Sequence, residues 1–189
     1  MQLFFSPLSC SLACSIIAAE AGLSIERVQV NLRTKHLKSD GAEYRVISPK
    51  CPVPALSLTD GTVLTEVPAV LLYLADRAPE TGLAPREGTI ERYRLLEALS
   101  FIGAELHKHA FYPLFAPDMP DAAKTFARES ALPRKLALAE ERLGGRPVLV
   151  GDRFAAVTAV GPVKGFGDRR RTMDLHVLPS AQGLAIETV

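Results

Sequence analysis

The pattern of hydrophobic and polar positions changes once along this 189-residue chain, near residue 80. Before that point the apolar runs are short. Met1–Phe5 predicts a buried strand, and Ile25–Leu32 alternates so that its even-numbered positions form a largely apolar strand face. Between them, Cys10–Ala21 is compatible with a helix and stops at Gly22, a residue favoured just after a helix. Strand, helix and strand in this order predict a βαβ unit with a parallel strand pair.

The segment that follows predicts a loop, a short helix and a hairpin. Arg33–Gly41 is polar and basic and is predicted to be a loop, and Ala42–Ile47 is predicted to be a short helix. The prolines of Pro52-Val53-Pro54 cannot lie inside a central strand, so they predict a rigid turn before a short strand. Asp60-Gly61 predicts the turn of a hairpin. The next helix is predicted to begin near Glu66, with a proline in its first turn.

The second half of the chain has only helical periodicity. Ala78–Gly88 is rich in proline and glycine and predicts a linker. Thr89–Lys108 repeats apolar residues at helical spacing and predicts a long central helix, and Phe111–Pro120 predicts a loop. Asp121–Leu143 predicts a second helix, although Pro133 inside it would cost about 3 kcal/mol or force a kink. The predicted fold class is therefore an α/β part followed by an all-α part.

Composition narrows the class of function. The net charge of +1 provides no attraction to nucleic acid or to an anionic membrane, and no apolar run reaches the roughly 18 residues of a membrane span. The first basic residue is Arg27, so no secretory signal is predicted. The three cysteines are an odd number and lack the paired spacings of a zinc site. We therefore expect a cytoplasmic protein with reduced thiols and no metal.

Cys10 is the leading candidate for chemistry. It follows the break at Ser6-Pro7 and is predicted to lie at the first turn of a helix. Unpaired N–H groups and the helix dipole stabilise a thiolate there, and such a setting lowers a cysteine pKa from about 8.5 to about 3.5–7.5. The same corner binds anions. The alternative is a buried cysteine that packs as a small apolar residue, and the residues alone leave the two interpretations balanced.

Several short segments occur together in a fixed order, namely Leu3–Pro7, Cys10–Ala13, Val53–Leu56, Asp60–Glu66, Tyr73–Asp76, Leu83–Pro85 and Glu105–Lys108. In combination they resemble the glutathione transferases over residues 1 to about 154, most of all the bacterial, cysteine-type (beta) class. The resemblance implies a thioredoxin-like N-terminal domain, an all-α second domain and a homodimer. It also implies glutathione as a co-substrate, a small electrophile as the second substrate, and no permanently bound cofactor.

The resemblance also implies a set of site residues. Cys10 would face the glutathione sulfur, and Val53, before a cis Pro54, would pair its backbone with the cysteinyl part of glutathione. The backbone of Glu66 and Val67, at a helix N-terminus, would receive the γ-glutamyl carboxylate. The remaining implied residues are Lys35 near the glycyl end and, where the long helix nears the ligand, Ser100, Ala104, Glu105 and a catalytic His107.

Simpler interpretations stay open beside these. Lys35 can be an ordinary solvated lysine, and a lone histidine such as His107 on a helix is usually structural. Phe5 has no hydroxyl, which excludes activation of glutathione by a tyrosine at that position. A serine-type mechanism remains an alternative, with hydroxyls from Ser6, Ser9 and Ser11. For the function, the alternatives to a transferase that conjugates glutathione to small electrophiles are a glutathione-dependent thiol-disulfide reductase and a non-catalytic, decayed ligand-binding protein.

The chain departs from the family pattern at four places. Cys51-Pro52 stands where the family usually has Gly-Gln, Val67 where a small residue is usual, and Ser100 where Asn is common. After Phe154 the family continues with a capped apolar helix, whereas this chain has three glycines and a proline within Gly161–Gly167. The last helices of the family are therefore predicted to be missing or disrupted, which leaves an impaired activity open.

The predicted domains are a thioredoxin-like glutathione-binding domain at 1–79, a linker at 80–88, a helical domain on the electrophile side at 89–160, and a divergent tail at 161–189. Without the family's final helices, apolar residues of the two long helices would be partly exposed, among them Leu95, Leu99, Ile102, Leu136 and Leu143. Burying one such side chain contributes roughly 1.5–3 kcal/mol, so the loss would consume much of a domain's stability of about 5–15 kcal/mol.

We therefore predict a poorly ordered tail, and a protein that is less stable than its relatives and aggregates readily. Limited proteolysis followed by mass spectrometry should detect cuts after Lys164 or within Arg169–Arg171 long before cuts in the first domain. A monodisperse protein whose tail resists protease as well as residues 1–80 would contradict this.

Overall fold

The computed structural model describes residues 1–7 and 9–144. The chain divides into two compact units, the first running from Met1 to Ala84 and the second beginning at Pro85. The predicted tail at 161–189, the end of the predicted helical domain and the expected protease sites lie outside the described residues.

A five-stranded mixed sheet forms the centre of the first unit. Its strands are β1 (Gln2–Phe5), β2 (Glu26–Asn31), β3 (His36–Leu37), β4 (Ala55–Ser57) and β5 (Val63–Thr65), in the spatial order β3-β2-β1-β4-β5. β1 and β2 run parallel with Phe4 opposite Val28, which confirms the predicted βαβ unit. The other pairs are antiparallel, and Phe4 also lies opposite Ala55 on β4. β1 is therefore the middle strand.

Two helices, α1 (Ser11–Glu20) and α2 (Val67–Asp76), pack against each other in this unit. α1 ends as predicted, because Gly22 has a φ of 64° and the next N–H bonds back to the carbonyl of Ala18 at 2.9 Å. The predicted hairpin turn is also confirmed, with Gly61 at a φ of 85° between β4 and β5. The fully buried side chains of the unit include Leu3, Ile17, Leu56, Leu71 and Leu74.

The loop predicted over Arg33–Gly41 is wrong in part, because His36–Leu37 forms β3 beside β2. Asn31 turns the chain between the two strands. Its Oδ1 accepts the N–H groups of Arg33 and Thr34 at 3.0 and 3.2 Å. An Asn side chain can replace a backbone turn in this way. The turn contains no glycine or proline, so the pattern of residues gave no indication of a hairpin here.

Tyr44 joins the sheet to the chain before β4. The predicted short helix over Ala42–Ile47 is reduced to a single 3₁₀ turn, Tyr44–Val46. The Tyr44 side chain is fully buried, its ring centroid lies 5.7 Å from that of Phe4, and its hydroxyl donates to the Pro52 carbonyl at 3.1 Å. Burial is the main cause that raises the pKa of Tyr44 to about 12. The hydroxyl is therefore a hydrogen-bond donor throughout the neutral range.

The described part of the second unit, which ends at Gly144, is helical, as predicted. Its first helical stretch comprises α3 (Ile90–Ser100), a π-helical segment (Phe101–Phe111) and α4 (Tyr112–Phe115). Its second comprises α5 (Asp121–Phe126), a π-helical segment (Ala127–Ala131) and α6 (Leu132–Leu143). The loop predicted from Phe111 is wrong in its first half, since helical structure continues to Phe115. The apolar side chains of Leu95, Leu99 and Ile102, expected to be partly exposed, are instead buried.

Both prolines within these helical stretches follow a π-helical segment. Pro113 and Pro133 are the second residues of α4 and α6. A proline has no N–H, and in an α-helix its ring clashes with the carbonyl four residues earlier. In a π-helical turn each backbone N–H bonds to the carbonyl five residues earlier, so a different carbonyl faces the proline ring. The second stretch therefore continues past Pro133 and ends at Gly144, whose φ is 54°.

Replacing Tyr44 with Phe should lower the free energy of unfolding at pH 7 by about 1 kcal/mol, because the hydrogen bond to Pro52 is lost. The difference from wild type should shrink above pH 10. The folded pKa of about 12 lies above the ordinary value of 10.0, so the contribution of Tyr44 to stability is complete below pH 10 and is lost as the pH rises towards 12. Urea unfolding at pH 7 and 11 measures both effects.

Tyr93→Phe is the matched control, because the Tyr93 side chain is exposed. Equal unfolding curves for the two variants would contradict a structural role for the Tyr44 hydroxyl.

Candidate active site

Cys10 lies where the sequence predicts it, at the residue that caps the N-terminus of α1. It is half-buried, and its Sγ donates to the carbonyl of Val53 at 3.4 Å. The register of the sheet brings these residues together, because β1 and β4 are antiparallel and the chain leaves β1 beside the place where it enters β4. A thiol at this point meets the positive end of the α1 dipole.

Three serines hold the turn that carries Cys10. The Ser9 hydroxyl donates to the Ser6 carbonyl at 2.8 Å and lies 2.7 Å from the Ser11 hydroxyl. Ser11 Oγ also accepts the Ser6 N–H at 3.1 Å, and the Ser11 side chain is fully buried. Ser9 and Ser11 are thus engaged in fixing the backbone around Cys10. Their bonds explain why small hydroxyl residues flank the cysteine.

Cys14, one helical turn beyond Cys10, is fully buried. Burial, with a smaller contribution from nearby Cys10, raises the pKa of Cys14 far above its ordinary value. Cys14 therefore packs inward. Cys51 is also buried, and its Sγ donates weakly to the Pro49 carbonyl at 3.8 Å. Cys10 is the most accessible of the three thiols.

The peptide bond between Val53 and Pro54 is cis, as the resemblance implies. Val53 is buried in the same apolar cluster as Tyr44, whose hydroxyl binds the preceding carbonyl of Pro52. Cys51 stands in the left-handed region with a φ of 68°, and its N–H donates to the carbonyl of Ser48 at 2.8 Å. The segment beside Cys10, from Cys51 to Pro54, is therefore a turn that is held by several hydrogen bonds and apolar contacts.

Glu66 and Val67 stand at the start of α2, where the resemblance implies that a carboxylate binds. Glu66 is the capping residue with a φ of 74°, and half-buried Val67 is the first residue of the helix. Pro68 follows it and contributes no N–H. The Glu66 carboxylate pairs with Lys50, with 2.8 Å between Oε1 and Nζ. Sequence reasoning did not identify Lys50, because nothing in its spacing indicates a partner 16 residues away.

Lys35 is half-buried and has a φ of 62° in the turn between β2 and β3. The backbone N–H of Lys35 donates to the carbonyl of Asn31 at 2.8 Å, and the carbonyl of Lys35 accepts the backbone N–H of Tyr44 at 2.9 Å. The backbone of Lys35 therefore has a structural role whatever its ammonium group contacts.

Three non-glycine residues in the described part of the chain have a positive φ, namely Lys35, Cys51 and Glu66. Such conformations cost about 1–3 kcal/mol each and collect at functional sites. Lys35 and Glu66 are themselves implied contacts of glutathione, and Cys51 is two residues before Val53. Two of the three strained positions, Lys35 and Glu66, are thus residues that the resemblance implies at the glutathione site.

The other implied residues belong to the second unit. Ser100 and Ala104 are exposed, and Glu105 is half-buried and ion-paired with Lys135 on α6. The hydrogen bond and charge of Lys135 hold the pKa of Glu105 below its usual value. His107 is an exposed residue. Partial desolvation of the ring, and then the charge of neighbouring Lys108, lower the pKa of His107 below its ordinary value of 6.5. The ring is therefore neutral at pH 7.

Two negative findings apply to residues 1–7 and 9–144. No group of three or more His, Cys, Asp or Glu side chains there is arranged to hold a metal ion. In the same part of the chain, no helix has both the length and the apolar character needed to cross a bilayer.

Comparison with known proteins gives the same family from sequence and from structure. The family model for the glutathione S-transferase N-terminal domain matches residues 9–77. Glutathione S-transferase GstA of Escherichia coli O157:H7 is 42% identical over 159 residues, which cover 84% of this chain and 78% of GstA.

Two solved structures are similar over the same part of the chain. A sphingomonad glutathione S-transferase, complexed with glutathione, is 45% identical with a TM-score of 0.80, over 85% of this chain and 78% of that one. The bacterial beta class glutathione S-transferase of Sphingomonas chungbukensis is 42% identical with a TM-score of 0.79 and the same coverage. The chain belongs to the glutathione S-transferase family, in its bacterial beta class.

Proposed function

We propose that this protein transfers glutathione to small electrophiles and that Cys10 lies against the glutathione sulfur. Family membership supports the reaction class, and a relative at 45% identity has been solved with glutathione bound. The observation that carries the proposal for this chain is the position of Cys10, half-buried at the α1 N-terminus with Sγ 3.4 Å from the Val53 carbonyl.

The proposed binding mode uses backbone and charge from the first unit. The Val53 backbone pairs with the cysteinyl part, the backbone of Glu66 and Val67 receives the γ-glutamyl carboxylate, and Lys35 attracts the glycyl carboxylate. The α2 N-terminus favours an anion through its dipole and its unpaired N–H groups. From the second unit we assign Ser100, Ala104 and Glu105 as further contacts of glutathione, with a neutral His107 as a proton acceptor.

In the proposed reaction the glutathione thiol gives its proton to His107, and the thiolate attacks the electrophilic carbon. The new carbon–sulfur bond forms as the bond to the leaving group breaks, and the leaving group departs with the electron pair. The helix N-terminus at Cys10 stabilises negative charge on nearby sulfur, which lowers the free energy of the thiolate.

A second candidate is a glutathione-dependent thiol-disulfide reductase, which the accessibility of Cys10 favours. The Cys10 thiolate would attack a mixed disulfide and release the other thiol. Reduced glutathione would then attack the Cys10–glutathione disulfide, freeing Cys10 and leaving oxidised glutathione. Cys14 is buried, so glutathione and not Cys14 must resolve the disulfide.

The experiment is a glutathione-affinity column followed by two assays, conjugation of an aryl halide and reduction of a mixed disulfide. The wild-type protein should be retained and should conjugate. Cys10→Ala should lose about tenfold or more of kcat/KM, the effect of about 1.4 kcal/mol of transition-state stabilisation. Cys14→Ala is the control and should keep its activity per folded molecule.

The outcomes separate the candidates. Disulfide reduction without conjugation would favour the reductase, and retention without either activity would indicate a non-catalytic binding protein. A folded wild-type protein that glutathione does not retain would contradict all three.

Reactivity of the thiols tests the role of Cys10 directly. Iodoacetamide below pH 7 should modify Cys10 faster than Cys14 by at least about tenfold, because burial raises the pKa of the Cys14 thiol and keeps it protonated. Peptide mapping by mass spectrometry measures the order, with Cys51 as the competitor. Modification of Cys14 or Cys51 alone in the folded protein would show that the assignment is wrong.

We also infer a homodimer that works in the cytoplasm. Free cysteines at Cys10, Cys14 and Cys51 suit a reducing compartment. Sedimentation equilibrium at micromolar concentration should give twice the mass of the chain, and a monomer would contradict the dimer.

A further inference from the structure

Lys50 makes two contacts that no sequence motif indicates. Its Nζ donates to Glu66 Oε1 at 2.8 Å and to Thr65 Oγ1 at 3.2 Å. Thr65 is the last residue of β5, and Glu66 is the capping residue of α2. The ammonium group of Lys50 therefore bonds to both residues at the junction between β5 and α2, although Lys50 itself precedes the β4–β5 hairpin.

The backbone that carries Lys50 is itself constrained. The N–H of Cys51 donates to the carbonyl of Ser48, which closes a tight turn around Lys50. Three residues later comes Val53, the hydrogen-bond acceptor of Cys10. Lys50 thus links the segment that contacts the cysteine to the segment that begins α2.

Charge gives this link a second effect. Glu66 places a carboxylate at the N-terminus of α2. Pro68 supplies no N–H there. The N–H of Val70 bonds to the Glu66 carbonyl at 3.0 Å, as expected for the start of a helix. The side-chain carboxylate of Glu66 would repel another carboxylate that approaches the backbone at this helix N-terminus. The Lys50 ammonium offsets the negative charge of Glu66 and fixes the position of its side chain through the hydrogen bond to Oε1.

We propose that Lys50 is a positioning residue for the γ-glutamyl end of glutathione, acting through Glu66 at the start of α2. This rests on the proposed function, in which the backbone of Glu66 and Val67 receives the γ-glutamyl carboxylate. Lys50 raises the affinity for the substrate and does not take part in the chemical step.

The test is the full chain carrying Lys50→Met, with kcat and KM for glutathione measured against an aryl halide at low salt. KM should rise about three- to fivefold with kcat unchanged within twofold, the range expected from one exposed ion pair. Lys50→Arg should restore KM, because a guanidinium can make the same two bonds. Alkylation of Cys10 should proceed at the wild-type rate in both variants.

Two further arms exclude a merely structural effect. Arg45→Met is the matched control, since Arg45 and Lys50 side chains are both 60% exposed and each faces a carboxylate, and it should leave KM unchanged. In a Glu66→Gln background the penalty of Lys50→Met should fall below twofold. With cysteinylglycine, which lacks the γ-glutamyl group, the penalty should disappear.

Failure of this inference can be told from failure of the proposed function. If the wild-type protein binds glutathione but Lys50→Met has the same KM, or loses kcat as much as it gains KM, or shows the same penalty with cysteinylglycine, then Lys50 has no such role. If the wild-type protein does not bind glutathione, the proposed function falls and the role of Lys50 falls with it.

Discussion

The antiparallel pairing of β1 with β4 is the constraint on which the candidate site depends. Phe4 lies opposite Ala55, so the turn that leaves β1 must pass beside the turn that enters β4. The first turn carries Cys10 and the second carries Val53, and the bond between the Cys10 thiol and the Val53 carbonyl follows from that register. A shift of one residue would move the side chains of β1 to the opposite face of the sheet. The core and the site are therefore set by the same pairing.

The local elements around this constraint could be predicted because each has its own cause in adjacent residues. Gly22 ends α1 through its positive φ, Asp60-Gly61 forms the hairpin turn, and small residues after the Ser-Pro break begin the helix at Ser11, with Cys10 as its capping residue. The β3 strand could not be predicted, since it is two residues long and follows a turn made by the Asn31 side chain. The helical stretches of the second unit were predicted in position, but the π-helical segments before Pro113 and Pro133 were not, because they arise from how a long helix accommodates a proline.

Part of the site could also be predicted, and part could not. Cys10, Val53 and Glu66 are marked by motifs that resemble a known family. The pairing of Lys50 with Glu66 joins residues 16 apart, and neither partner has a periodicity that points to the other. The pairing of Glu105 with Lys135 joins residues 30 apart in the same way. Such contacts become visible only once the sheet and helices have brought the segments together.

Cys51 shows how tertiary contacts can impose a backbone conformation that the local sequence disfavours. The family usually has glycine there, which adopts a positive φ without strain, and this chain keeps a φ of 68° with a cysteine. The flanking contacts account for this: the Cys51 N–H bonds to Ser48, and the Tyr44 hydroxyl holds the next carbonyl, that of Pro52. Together with the buried Tyr44 ring, these bonds determine the turn more strongly than the side chain at position 51 does. The geometry that presents Val53 to Cys10 therefore depends on the Tyr44 anchor and does not require glycine.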